Sequence, residues 1–218
     1  MRSLRSLVEP KRWRTDKKQY QQIPGSNSDD LLPFLFMNKK ELLQALEAYQ
    51  TDYKTEQSFV PRFLSLLRNF ENCYRRSLVT GHMTASAWIV DKRGEQVLLV
   101  HHKKLDRWLQ PGGHADGDEN ILNVARKEAE EETGLSSLQL HSSEIFDIDI
   151  HLIPERGEIK AHNHYDIRFL FTADISEKYI VSEESHDLSW VKIDHFAQQS
   201  MEEESLHRMI LKTNSIFK

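Results

Sequence analysis

The sequence predicts an α/β or α+β sandwich rather than a doubly wound parallel sheet. Apolar residues at helical spacing occupy the region before residue 79, strand-like patterns flank a single glycine-bounded helix, and a further helical pattern follows the last strand. The order strands, helix, strands, helix suits a sheet packed against helices, whereas a doubly wound sheet needs strands and helices to alternate regularly.

An α-helical N-terminal extension is predicted over residues 31–78. Asn38 is suited to cap its first helix, because an asparagine side chain accepts hydrogen bonds from backbone N–H groups of the first turn. The second helix is predicted to follow Pro61 and to continue to about Arg76, where apolar residues keep helical spacing. Three roles are open for these helices: covering a cleft, forming a homodimer contact, or packing against the main domain.

The main domain is predicted over residues 79–218 and opens with two strands. Residues 82–90 and 96–101 have strand character and are joined through a turn. A glycine-rich turn then leads into a helix, for which Asp118 is the predicted N-cap and Gly134 the left-handed C-terminal stop.

The second half of the main domain returns to strands. Residues 146–151 and 164–171 alternate polar and apolar side chains, and Trp190 and Val191 mark a last strand. A capped helix is predicted from Ser200 to about residue 212. No internal repeat interrupts this order.

Composition limits the classes of function. The chain is 39% hydrophobic and 29% charged, with a mean hydropathy of −0.61, which is typical of a globular protein and not of a membrane protein. The net charge of −5 argues against general nucleic-acid binding. Residues 1–30 are predicted to form a basic, flexible tail rather than an export signal.

The single cysteine, Cys73, excludes an intramolecular disulfide and favours a reducing, cytoplasmic location. It lies in a helical pattern of apolar residues, so we expect a buried structural thiol rather than a nucleophile.

Three glutamates form the strongest candidate site. On a helix advancing about 100° per residue, Glu128, Glu131 and Glu132 lie on one face. Such crowding is unfavourable unless solvent screens it or a cation neutralises it, and Mg²⁺ and Mn²⁺ prefer oxygen ligands. Taken alone, an acidic helix face is more often simply solvated.

The setting of these glutamates changes that balance, because residues 113–135 resemble the signature of the Nudix hydrolase family, G-x5-E-x7-R-E-U-x-E-E-x-G-U, with U a bulky aliphatic residue. The matching positions are Gly113, Glu119, Glu128, Glu131, Glu132, Gly134 and Leu135. Two positions depart from the signature. Ala129 replaces the aliphatic residue, and Lys127 replaces an arginine that in the family helps to orient the metal-binding glutamates. Lys127 precedes Glu131 by four residues and can pair with it, but without a bidentate fork.

The resemblance extends roughly from Gly81 to Phe196 and implies a Nudix-like mixed β-sheet sandwiched between helices. It also implies that the Gly112 carbonyl, Glu128, Glu131 and Glu132 coordinate Mg²⁺ or Mn²⁺. Such ions neutralise a diphosphate and lower the pKa of a water that attacks phosphorus. The implied activity is a pyrophosphatase reaction, hydrolysis of a small-molecule nucleoside diphosphate derivative or a related organic pyrophosphate, in which Lys127 supports the glutamates.

Other readings of the resemblance stay open. A catalytically weak nucleotide-binding or regulatory module is favoured by Lys127 and opposed by the intact glutamates. The isoprenoid diphosphate isomerase branch of the fold uses a catalytic cysteine, and it is disfavoured because Cys73 lies outside the matching region.

A second set of candidates lies on one strand. His162, His164, Asp166 and Arg168 share one face of that strand, which either lines the substrate cleft or faces solvent with an ordinary Asp166–Arg168 ion pair. The two histidines also suggest a metal pair, but without a closed ligand set. Glu183 and Glu184 lie in a loop before Trp190, where Nudix enzymes often supply another metal ligand or a general base.

Overall fold

The structure is a computed structural model that describes residues 37–199 and 203–217. The predicted basic tail, residues 1–30, lies outside the described residues, as does Ser200, the predicted start of the last helix. The helices of the described part are α1 (Lys39–Ala48), α2 (Lys54–Asn69), α3 (Ile121–Thr133), α4 (Ile193–Gln199) and α5 (Glu204–Phe217). The strands are β1 (Gly81–Asp91), β2 (Gln96–His102), β3 (Arg107–Leu109), β4 (Gly112–His114), β5 (Gln139–Leu140), β6 (Asp147–Ile153), β7 (His162–Ala173) and β8 (Ser185–Lys192).

These strands form one mixed sheet, as predicted. Its main path runs β3-β2-β1-β7-β5, while β4 pairs with β1, β6 with β7 and β8 with β2. The central pair, β1 and β7, is parallel from Gly81 opposite Asn163 to Asp91 opposite Ala173. The other pairs are antiparallel. The α/β class and the sheet between helices are thereby confirmed.

The two faces of the sheet carry separate hydrophobic clusters. Met83 and Ala85 of β1 belong to the larger cluster, which includes residues of α1, α2 and α3. Trp88 and Val90 point the other way and belong to a second cluster with α4 and α5. Successive side chains of β1 therefore join different helical layers, which explains why the whole strand is buried.

The N-terminal helices pack against the main domain. Asn38 caps α1 as predicted, accepting hydrogen bonds from Lys40 and Glu41 N–H groups. On α2, Phe63 is fully buried and meets the Tyr165 ring edge-on at 5.3 Å. Packing against the main domain is thus confirmed, whereas a role in covering the cleft or in a homodimer remains a prediction.

The start of α2 was predicted wrongly. The helix begins at Lys54 and contains Pro61 in its interior, instead of starting after it, and ends at Asn69 rather than near Arg76. Proline removes one helical hydrogen bond. The buried face of α2, which includes Phe59 and Phe63, offsets this loss because helix stability in proteins comes mainly from packing.

Other element boundaries shift by smaller amounts. The N-cap of α3 is Asn120, whose side chain accepts from the Asn123 N–H group, while Asp118 accepts from the Asn120 N–H group one step earlier. Gly134 is left-handed with φ 68°, as predicted. The last strand begins at Ser185, before the predicted Trp190, and α5 continues to Phe217.

Cys73 is fully buried, as predicted, and burial raises the pKa of its thiol. Its structural role remains a prediction. Within residues 37–199 and 203–217, no helix combines the length and apolar character needed to cross a membrane.

Candidate active site

Helix α3 presents the glutamates beside strand β4. Its inner face, which includes Val124, Ala125 and Ala129, is buried against the sheet. Ala129 is fully buried, so its small side chain is compatible with close packing at a position where the family signature has a larger one. On the same helix, Glu128 and Glu132 are half-buried and Glu131 is exposed. We call these three carboxylates the glutamate cluster.

Two glycines let β4 approach both β1 and α3. Gly112 and Gly113 pair with Ser86 and Ala85 of β1. A Cβ atom at Gly113 would stand 2.4 Å from the Glu128 Cδ atom, and one at Gly112 would stand 2.3 Å from the Ser86 Oγ atom. The Gly112 N–H group donates to Glu132 Oε1 at 3.3 Å. A side chain at either glycine would therefore clash, so this close approach of β4 to β1 and to the carboxylates requires glycine at both positions.

The carboxylates of the cluster destabilise one another's charged forms. Burial raises the pKa of Glu128 to about 7, with further contributions from Glu131, Asp116 and Glu184. Burial also raises the pKa of Glu132 to about 8, and Glu128 and Glu184 add to this against the lowering effect of the Gly112 N–H group. A half-buried group of carboxylates at this density fits a divalent cation with oxygen ligands, which would supply the missing positive charge.

An arginine ahead of the main domain meets the edge of this site. Arg76 forms a bidentate pair with Asp116, with Nε–Oδ1 and Nη2–Oδ2 distances of 2.6 Å each. This hydrogen bonding lowers the pKa of Asp116. The Arg76 charge acts on Glu128 as well, where it lowers the pKa. The sequence pattern places Arg76 at the end of a helix and gives no partner for Asp116, so this pair could not be predicted.

The partner of Lys127 differs from the predicted one. Its Nζ atom lies 3.4 Å from Asp118 Oδ2, and no hydrogen bond or ion pair with Glu131 occurs among the described residues. Its neighbour Arg126 pairs with Glu130 at 3.1 Å, away from the glutamate cluster. Asp118 competes successfully for the lysine because it lies in the turn directly before the helix.

The loop before β8 brings one of its two glutamates toward the cluster. The charge of Glu184 raises the pKa of both Glu128 and Glu132. Lys103 forms two hydrogen bonds with the backbone of this loop. Its N–H group donates to the Glu184 carbonyl at 3.0 Å, and its Nζ atom donates to the Glu183 carbonyl at 2.5 Å. Glu184 is thus the better placed of the two to act with the glutamate cluster.

The candidate strand β7 divides into two parts. His162 and His164 are half-buried. Asp166 and Arg168 are each only 2% exposed, so they lie neither on a solvent-facing strand nor on an open cleft surface. Their expected ion pair is present at 2.8 Å, but it is buried.

Asp166 and Arg168 belong to a larger set of charges that sequence reasoning did not foresee. This buried charge network links α2, β6, β7 and α5 and consists of Glu56, Asp147, Asp149, Asp166, Arg168, Arg208 and Lys212. Asp147 is fully buried and meets Arg168 at 3.1 Å, Arg208 at 2.8 Å and Lys212 at 3.0 Å. Burial alone would raise its pKa, but these three cations lower it. Helix α5 therefore supplies two of the three cations that neutralise Asp147.

The family comparison agrees with the signature. The NUDIX domain family matches residues 80–212, more than half of the chain. Among solved structures, an Ap4A hydrolase from C. elegans is 17% identical with a TM-score of 0.49, covering 62% of this chain and 96% of that one. A NUDIX family hydrolase from Clostridium perfringens is 25% identical with a TM-score of 0.49, covering 62% and 97%. The MutT protein from Methanosarcina mazei Go1 is 19% identical with a TM-score of 0.48, covering 63% and 96%. No curated protein matches the sequence.

Proposed function

This chain belongs to the Nudix family and is a Nudix-type pyrophosphohydrolase, and on that premise we propose that it uses Mg²⁺ or Mn²⁺ to cleave the diphosphate linkage of a nucleoside diphosphate derivative or a related organic pyrophosphate. The observation that carries the proposal is the charge balance of the glutamate cluster. Burial first, and the neighbouring carboxylates second, raise the pKa values of Glu128 and Glu132 to about 7 and about 8. A bound cation would offset both effects, and the phosphates of a substrate would add negative charge that also needs a cation.

Four groups would hold the metal: the Gly112 carbonyl and the carboxylates of Glu128, Glu131 and Glu132. Bound divalent ions would neutralise the diphosphate and lower the pKa of an attacking water. The chain's own contribution is to hold the carboxylates at fixed positions. The inner face of α3 is buried against the sheet, and the Gly112 N–H group restrains Glu132.

Glu184 is the favoured candidate for an additional ligand or a general base, and Glu183 the less favoured one. The charge of Glu184 acts on Glu128 and Glu132, so its carboxylate lies near the proposed metal ligands, where it could bind the metal or accept a proton from a bound water. Lys127 would support the site indirectly by holding Asp118 and so the turn before α3.

The substrate would approach β7 at its His162 and His164 end. Both imidazoles are half-buried and could contact a base or a sugar. Asp166 and Arg168 would contribute as positioning residues beneath that surface, because both are buried. The buried thiol of Cys73 also supports the proposed reducing, cytoplasmic location.

The decisive experiment is hydrolysis of a panel of nucleoside diphosphate derivatives and organic pyrophosphates by the full chain, with Mg²⁺, with Mn²⁺ or with a chelator. Products are identified by mass, and we expect two phosphorylated fragments. Glu132→Gln should lower kcat/KM on the order of 10³-fold, because it removes a metal-neutralising charge at constant volume. The matched control is Glu130→Gln, since Glu130 is exposed on the same helix and pairs with Arg126.

The competing function is a nucleotide-binding or regulatory module with little turnover. The observation in its favour is that Lys127 pairs with Asp118 and not with a glutamate of the cluster. Metal-dependent binding of a panel compound without any product would establish that alternative and contradict hydrolysis.

A further inference from the structure

Five histidines lie together on one face of the sheet. We call them the histidine cluster: His82 of β1, His114 of β4, His151 of β6, and His162 and His164 of β7. Register places them side by side, because His82 is opposite His164, His164 is opposite His151, and His114 is opposite Thr84. Residues paired across neighbouring strands point to the same face of a sheet. Chain segments about 80 residues apart thus deliver imidazoles to one place.

Three of these imidazoles have the spacing of ligands to a single ion. His82, His114 and His164 each direct one ring nitrogen into a group whose members lie within 4.8 Å of one another. The Nε2 atoms of His114 and His164 are 3.2 Å apart. Two nitrogens bound at about 2.0–2.1 Å to a tetrahedral Zn²⁺ would be about 3.3–3.4 Å apart. The observed separation is therefore close to that of two ligands on a shared metal.

The remaining two histidines already have partners. His151 Nδ1 lies 3.2 Å from Asp149 Oδ2, and His162 Nδ1 lies 2.8 Å from the Lys160 carbonyl oxygen. Their rings surround the group, with His162 5.0 Å from the His82 ring and His151 5.3 Å from the His164 ring. They form a surrounding layer rather than part of the ligand set.

The strongest sign of a missing ligand is His82. Its side chain is 3% exposed, and neither ring nitrogen has a hydrogen-bond partner among the described residues. The Leu78 backbone raises the pKa of His82 against the lowering effect of burial, but it does not form a hydrogen bond of normal geometry. A buried polar group without a partner is costly and needs an explanation. A hydrogen bond between His114 and His164 would account for those two rings and would still leave His82 without a partner.

We propose that His82, His114 and His164 form a site for a divalent transition metal of the zinc type, separate from the glutamate cluster. Three imidazoles with a free fourth position are a donor set that zinc uses in proteins. Mg²⁺ prefers oxygen ligands, so the two sites differ in the ions they select.

Strand β4 separates the two sites. A Cβ atom at Gly113 would point into the Glu128 carboxylate, and the next side chain along the strand, His114, points to the opposite face. The histidine site thus lies on the opposite face of β4 from the glutamate cluster, and its metal binding can be tested whether or not the proposed hydrolysis is correct. In this site His164 would hold the ion instead of contacting the substrate directly.

The test is metal binding by the full chain after chelator treatment, measured by calorimetry with Zn²⁺ in the presence of millimolar Mg²⁺. We expect one equivalent of Zn²⁺ to bind without displacement by Mg²⁺. His114→Gln and His82→Gln should each weaken binding about 100-fold or more. His195→Gln, an exposed histidine on α4, is the matched control and should bind as the wild type does.

Two further measurements distinguish loss of the site from misfolding of a variant and from Zn²⁺ binding at the glutamate cluster. In the wild type, addition of Zn²⁺ should shift the imidazole nitrogen NMR signals of His82, His114 and His164, which needs no substitution. The double variant Glu128→Gln/Glu132→Gln should still bind Zn²⁺ with the same stoichiometry. The proposal is overturned if Zn²⁺ does not bind, if the glutamate variant loses the ion, or if binding and the three imidazole signals do not respond together.

Discussion

Crowded carboxylates have raised pKa values in the glutamate cluster and lowered pKa values in the buried charge network. In the network, Asp147 is fully buried, yet Arg168, Arg208 and Lys212 lower its pKa. In the cluster, Glu128 and Glu132 are less buried, yet their pKa values are raised to about 7 and about 8. The difference lies in the counter-charges. The network contains three cations of its own, whereas Arg76 offsets only part of the rise in the pKa of Glu128. This shortage of positive charge is the reason for the proposal that the cluster binds a cation from solution.

The largest expected effect is on the network. Asp147→Asn should destabilise the fold by about 3–5 kcal/mol, because it leaves three buried or half-buried cations without their shared partner. The measurement is urea unfolding of the variant beside Asp52→Asn, an exposed control. A loss no greater than that of the control would contradict the structural role of the network.

Asp166→Asn should have an intermediate effect and separates two roles for this residue. Asp166 accepts hydrogen bonds from Thr84 and Ser86 and pairs with Arg168, so we expect a loss of about 1–3 kcal/mol of stability. If Asp166 also acts in the substrate site, the variant should change kcat/KM by different factors for different substrates, while its Mg²⁺ dependence stays the same. Kinetics equal to those of the wild type on two or more substrates would remove Asp166 from the proposed substrate site.

The two regions should also respond to pH with opposite sign. In the metal-free protein, the raised pKa values of Glu128 and Glu132 mean that stability is present at low pH and is lost as pH rises from about 4.5 through about 7 and 8. In the network, the pKa of Asp149 is lowered to about 2 because Arg168 and His151 outweigh its burial, so that contribution is lost as pH falls from about 4 to about 2.

The check is thermal unfolding between pH 7.0 and pH 8.5, with chelator and with Mn²⁺. Below that range burial lowers the pKa values of His114 and His164 to about 4 and about 2, so their contribution to stability rises with pH and opposes that of the glutamates. The chelated wild type should lose stability as pH rises, while Mn²⁺ or the double variant Glu128→Gln/Glu132→Gln should flatten this slope. A slope that persists in the double variant would have another origin.

The smallest effect is expected at Lys127. Lys127→Arg should maintain or slightly raise kcat/KM, because guanidinium can hold Asp118 with two directed donors, and stability should change by less than about 1 kcal/mol. Arg126→Lys, the neighbouring exchange with a partner outside the cluster, is the control. A large loss of activity would mean that the lysine ammonium itself contacts phosphate.

Short-range sequence patterns predicted the elements whose conformation depends on residues close together in the chain. The α3 helix, its left-handed Gly134 and the strand alternation of β7 depend on residues close together in sequence. Contacts across the sheet could not be predicted in this way. The Arg76–Asp116 pair joins residues 40 positions apart, and the bond from Ser86 to Asp166 spans 80, so both depend on strand order and register.

The same limit explains the errors in detail. Lys127 can reach either Asp118 or Glu131, and the path of the turn before α3 places Asp118 beside it. Asp166 and Arg168 alternate with apolar neighbours as surface residues would, but Asp166 accepts from Ser86 of β1 and Arg168 contacts Met209 of α5, and no pattern within β7 predicts these contacts.

The parallel pairing of β1 with β7 has a consequence for how the chain folds. The two strands are the most extensive partners in the sheet, yet about 80 residues separate Gly81 from its partner Asn163. Closing so long a loop costs entropy before any contact compensates for it, so we expect slow folding and a late transition state that contains both strands. During synthesis, β1 must wait with one edge unpaired until β7 has left the ribosome. Nascent chains ending before residue 162 should therefore be digested readily by protease, and chains extended past β7 should become resistant.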